Sequence, residues 1–351
     1  MAQQHHEAAV QSAAGDVLAA YLRNQATEFL RALRAHREHG GTTGSGEEAS
    51  GAAVALRASA RRIGGTLHTF KSLLDGAWSE EIRTELAWLS GTLAREHAHA
   101  ARLERLLGAL HRLSGGAAFE DGPPGAARAP GPRREDRGGP PLAVGAAKAG
   151  ALLERQLTLA RTRAHSAALG ALGSARFHAV ADSVAVLASE VPVDPNARAG
   201  DLHLLAREAK ARLDEAAQQL PLRRAGLPYN AEALVHGLSA EPGPQPQDAP
   251  WHQVRLLLRL HRYAHEVLHA EPGAETETAG RLRAAGRALD EHRDAAEAAL
   301  AAASAARTPR IAPATAYALG VLHAEQRHEV EAARYAFGQC WLGEKEPVAT
   351  G

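Results

Sequence analysis

The chain has 351 residues and balances 40 basic side chains against 40 acidic ones, so no protein-wide basic field exists and any site for an anion must be local. A single cysteine, Cys340, excludes an internal disulfide and fits a cytosolic setting. The opening MAQQHHEAAV lacks an apolar secretion core, and no stretch approaches about 18 uninterrupted apolar residues, which argues against export by that route and against membrane insertion.

Ala, Leu, Arg, Glu and His are abundant, whereas aromatic and β-branched residues are scarce, so the expected fold is all-α. A first helix is expected over 15–38, with Val17, Leu18, Tyr21, Leu22, Phe29, Leu30 and Leu33 on its inner side, preceded by a flexible segment 1–14. The run GGTTGSG at 40–46 ends it. The second helix is expected from Val54 to Leu74, reading VALRASARRIGGTLHTFKSLL. Leu56, Ala60, Ile63, Leu67, Phe70 and Leu74 recur at helical spacing and form its buried face. One position further round runs a cationic stripe of Arg57, Arg61, Gly64, His68 and Lys71, with Arg62 on its other flank.

Asp75-Gly76 should close that helix, and Ser79 with Glu80 and Glu81 should open a third over 79–113. Residues 114–141 are too rich in Gly and Pro to bury a core and are expected to be a disordered linker. Helical pattern returns over 142–172, then near 175–190 and 201–219. The Pro-rich EPGPQPQDAP at 241–250 delivers the chain to a second basic helix, which Asp248 or Pro250 could open. Trp251 to His269 carries His252, Arg255, Arg259, Arg262 and Glu266 on one stripe, with Leu256, Leu260, Tyr263 and Val267 beside it. Helices over 276–305 and 314–339 and a frayed tail over 341–351 complete the chain.

The two basic helices match in spacing: Arg57 answers Arg255 as Arg61 answers Arg259. Leu93, Glu96 and His99 likewise answer Leu322, Glu325 and His328. Such pairs suggest a duplicated helical unit, with a first half at 15–172 and a second at 174–340. Nearly all the basic residues are Arg, since lysine occurs only as Lys71, Lys148, Lys210 and Lys345. The planar guanidinium suits phosphate oxygens, and an extended polyanion needs many such cations along a groove, each weakened by salt. Expected contacts are Arg57, Arg61, Arg62, Lys71, Arg255, Arg259 and Arg262, with His68 and His252 as pH-sensitive donors and Tyr263 as a hydroxyl donor. His261, His265 and His269 form a further line at helical spacing, read as surface.

Two rival readings come from other classes. One is a helical scaffold whose stripes form salt bridges to a protein partner. The other is a metal-binding bundle, since Glu96-x-x-His99, Glu266-x-x-His269 and Glu325-x-x-His328 have the spacing used in di-iron helical bundles. No glycine-rich phosphate loop, Gly-x-Ser-x-Gly or shared carboxylate face for Mg²⁺ is present, so neither catalysis nor a cofactor is expected.

ALRASARRIGGTLHTFKSLLDGAW followed by ELAWLSGTL resembles the first half of the CHAD (conserved histidine α-helical domain) family. WHQVRLLLRLHRYAHEV resembles its second-half signature, and LGVLHAEQRHEVEAAR its closing helix. The resemblance spans roughly 15–340 and implies an all-α protein of about eight to ten helices, built as two pseudo-symmetric bundles around a basic central groove. It also implies binding of inorganic polyphosphate and association with polyphosphate granules in the cytoplasm, with no specific nucleic-acid partner. The sequence departs from the family where Val54 replaces a His, Gly64 an Arg, His97-Ala98 an Arg-Asp pair, and Glu325 and Arg327 a His and an Asp. A lopsided, weaker site is therefore expected.

Overall fold

The computed structural model describes residues 2–39, 46–114, 141–194, 199–225, 246–269 and 277–343. The glycine break at 40–45, the linker at 115–140, the first half of the Pro-rich connector and the tail at 344–351 lie outside the described residues. The expectation of an all-α fold holds. Among the described residues the elements are α1 (Ala2–His39), α2 (Gly46–Thr69), α3 (Gly76–Leu113), α4 (Pro141–Leu172), α5 (Ala175–Ser189), α6 (Ala199–Gln218), the single turn α7 (Leu222–Ala225), α8 (Ala249–Leu268), α9 (Glu277–Ala306) and α10 (Pro313–Leu342). None of the described helices is long and apolar enough to cross a membrane.

Local chemistry explains the boundaries, several of which differ from the sequence expectation. Helix α1 begins at Ala2, ahead of the expected Gly15. Helix α2 stops at Thr69 rather than Leu74 and passes into a 3₁₀ turn over Lys71–Leu73. The chain is drawn out of helix there by an extended tie: Asp75 N donates to Pro192 O at 3.1 Å, Asp194 N donates to Leu73 O at 2.9 Å, and Leu74 bridges Val193. Asp75, not Ser79, caps α3, accepting from Trp78 N at 2.9 Å. Ser174 caps α5 by accepting from Phe177 N at 3.2 Å, and Pro313 occupies the first turn of α10, where its missing N–H leaves no bond unmade.

The chain folds into two compact units, each woven from three stretches. Unit 1 comprises Met1–His97, Thr162–Leu220 and Gln253–Gly286. Its core holds Leu22, Phe29, Ile63, Phe70, Leu89 and Phe177, all fully buried, and each such side chain contributes on the order of 1.5–3 kcal/mol of transfer free energy. Unit 2 comprises Ala98–Arg161, Pro221–His252 and Arg287–Gly351. It packs Leu106, Leu153, Leu319 and Leu322 against an alanine face of α9 at Ala298, Ala302 and Ala305. Small residues let backbones close up here: a Cβ on Gly145 would lie 2.3 Å from the Ala314 carbonyl oxygen.

Candidate anion-binding cavity

Three helices of unit 1 turn small or cationic residues toward one cavity of about 400 Å³. Helix α2 contributes Ala60, Arg61, Gly64, Gly65 and His68, and α3 contributes Arg83, Leu86, Ala87, Ser90 and Gly91. Helix α8 adds Leu256, Arg259, Leu260 and Tyr263. Each set repeats at intervals of three and four, so each is one helical stripe. The void exists because its walls are short: a Cβ at Gly64 or Gly91 would meet nothing within 4 Å. Gly65 is different, because the buried Tyr263 ring lies against it and a Cβ there would come 2.5 Å from Tyr263 Cδ2.

The lining carries Arg61, Arg83, Arg259 and His68 and no acidic residue. Arg61 Nε is buried and has no hydrogen-bond partner. Arg83 is held from the outer side by the exposed Glu80, with its Nε 3.2 Å from Oε2. His68 is half-buried, and its burial, then the charges of Arg83, Arg212 and Lys71, hold its imidazole below the ordinary value, with Glu80 acting the other way. The cavity therefore concentrates positive charge, with Arg61 Nε shielded from solvent.

Of the ten residues expected to contact the anion, the cavity brings together Arg61, His68, Arg259 and Tyr263. Arg57 and Arg255 continue the α2 and α8 stripes one turn earlier and do not line it. Lys71 sits in the 3₁₀ turn and acts on His68 only through its field. Arg62 and Arg262 are engaged elsewhere. Arg62 Nε donates to Glu266 Oε2 at 2.9 Å, Tyr21 donates its hydroxyl proton to the same oxygen at 3.0 Å, and Arg262 Nη2 lies 4.0 Å from Glu266 Oε1. Burial opposes the charge on Arg62, but the Glu266 carboxylate and its hydrogen bond outweigh it and leave the guanidinium pKa raised.

His252 falls in unit 2, where its ring meets His292 edge-on at 5.4 Å. His292 is itself stacked on Trp251 at 5.6 Å and accepts from Arg334 Nε at 3.3 Å. Beside it the buried Asp248 accepts two bonds from Arg327, at 2.7 and 3.0 Å, and one from Arg334 at 2.6 Å. Burial raises the Asp248 pKa, but the Arg327 bonds and the charges of Arg327, Arg334 and His292 bring it below the usual value. Asp248 stands immediately before α8 and anchors the 3₁₀ turn there to α10.

One cation of the lining, Arg83, escaped the sequence reading, as did Arg212 outside it. Arg83 stands three residues after Glu80 and reads as a solvated ion pair. Its signal was the run Arg83, Leu86, Ala87, Ser90, Gly91 at helical spacing, small and polar beside an apolar face. Arg212, exposed on α6, acts on His68 through its charge, and no local pattern announces it. The Glu-x-x-His pairs do not converge. Glu96 bonds His165 Nδ1 at 2.9 Å, His269 Nδ1 faces His265 O at 3.0 Å, and His328 Nδ1 faces Ala324 O at 2.8 Å. No group of three or more His, Cys, Asp or Glu that could hold a metal occurs among the described residues.

A family model described as CHAD domain matches residues 24–303. The solved structure of PptA from Streptomyces chartreusis is 61% identical, with a TM-score of 0.75, and the match covers 93% of this chain and 99% of that one. No curated protein matches.

Proposed function

The chain belongs to the CHAD family, and from that premise we propose that it binds inorganic polyphosphate without catalysis, through the cationic cavity of unit 1. The observation that carries this reading is the meeting of Arg61, Arg83, Arg259 and His68 around a lining free of acids. Guanidinium forks give charge-assisted bonds to phosphate oxygens, and they gain strength where water is few and the walls are apolar. A short run of the polymer occupies the cavity, and Arg57 and Arg255 extend the cationic path along α2 and α8. Polyphosphate granules in the cytoplasm are the corresponding cellular target.

Binding follows counterion release. With about four phosphate charges neutralised, affinity for long polyphosphate falls roughly fiftyfold between 50 and 200 mM salt, and orthophosphate competes poorly. The Arg61→Glu, Arg259→Glu double variant loses binding in a gel-shift assay. If that variant binds as well as the parent, the cavity is not the site.

A further inference from the structure

Glu266 follows Arg262 by one helical turn on α8, and its carboxylate collects two of the four expected arginines that do not line the cavity. Its Oε2 accepts from Arg62 Nε at 2.9 Å and from the Tyr21 hydroxyl at 3.0 Å, and its Oε1 lies 4.0 Å from Arg262 Nη2. The Arg62 and Glu266 side chains keep 34% and 30% of their surface open to solvent, so an incoming anion can reach them. A phosphate recruiting Arg62 must exchange one formed charge-assisted bond for another, and the net gain is small. Freed of the carboxylate, the same guanidinium would offer its whole fork.

We infer, on the basis of the polyphosphate reading, that Glu266 is a specificity-determining residue: it serves as a built-in counter-anion for Arg62 and Arg262 and limits how many cations the protein presents to the polymer. Ligands are then selected by simultaneous contact with Arg61, Arg83 and Arg259, and the neighbouring positive charges stay occupied.

The test is a double-mutant cycle on the full chain, with long-chain polyphosphate as probe at 50, 100 and 200 mM salt. Glu266→Gln keeps an amide oxygen to accept from Tyr21 and Arg62 while removing the charge. It should tighten binding five- to tenfold at 50 mM salt and steepen the log–log salt slope by about 1.4, as two cations become available. Arg62→Gln alone should change affinity by no more than about twofold, and in the Glu266→Gln background it should remove about half of the gain. The inference fails if Glu266→Gln melts like the parent yet binds with unchanged or weaker affinity. It also fails if Arg62→Gln alone weakens binding as much as Arg61→Gln, which keeps the test decisive even should Glu266→Gln fail to fold. The double variant at Arg61 and Arg259 separates the two readings: its loss of binding beside an unresponsive Glu266→Gln retains the cavity and discards the counter-anion role. If neither parent nor Glu266→Gln binds, both readings fall; binding by Glu266→Gln alone upholds the counter-anion role and removes the function assigned to the parent.

Discussion

Adjacent glycines in α2 have opposite duties. Gly64 faces open space, so Gly64→Ala should raise stability by about 0.5–1 kcal/mol through a stiffer unfolded chain and better helix propensity. Gly65 bears the Tyr263 ring, so Gly65→Ala should cost about 1–3 kcal/mol as the ring is forced aside. Thermal melting of the two variants checks both signs. At this scale the sequence showed Gly64 as an arginine lost from the family pattern, and the structure shows the room that loss leaves. The stripes of Arg61, His68 and Arg259 were legible because helical spacing fixes a face. The fate of Arg62 was not, because its partner Glu266 lies 204 residues away, and spacing along one helix says nothing of what another helix brings to it.

Helix identities were legible in the same way, whereas helix ends depended on distant ties. The end of α2 is set by Pro192 and Asp194, and the start of α8 by the grip of Arg327 and Arg334 on Asp248. Arg327, standing where the family resemblance leads one to expect an acid, is thus answered by an acid on another element. Removing that acid takes a carboxylate from two guanidiniums, Arg327 and Arg334, that are only 2% and 4% exposed, and leaves Arg334 its bond to Glu331 Oε1 at 2.6 Å. Asp248→Ala should therefore cost about 3–5 kcal/mol, read as a lower denaturant midpoint, because a buried charge without its partner is far costlier than the pair. Asp248→Asn, which keeps an acceptor, should cost less.

Over the whole molecule, each unit contains a histidine held neutral by its surroundings, half-buried in unit 1 and fully buried in unit 2. In unit 1, burial and then the charges of Lys210 and His265, against Asp214, bring His261 down to about 4. In unit 2, burial and then the charge of Arg334 bring His292 down to about 3, with Asp248 opposing and His252 and Arg327 adding to the depression. The unfolded chain protonates both near the ordinary value of 6.5, so below it the unfolded state binds more protons. Stability is complete above pH 6.5 and declines as pH falls toward 4, by roughly 3 kcal/mol for each histidine at pH 4. Denaturant titrations across pH 4–7.5 should show that slope, and His261→Gln should flatten part of it. Polyphosphate affinity should move the other way, tightening from pH 7.5 to 6, because the bound polyanion raises the pKa of His68 and draws a proton onto it.

The interleaving of the units also governs how they are made. A nascent chain that has emerged only to Leu220 still lacks Gln253–Gly286, hence Arg259, Tyr263 and the buried Val267 of unit 1. No single cut in the polypeptide yields either unit whole. Synthesis must run nearly to completion before the first core can close, and until then its apolar helix faces are open to chaperones.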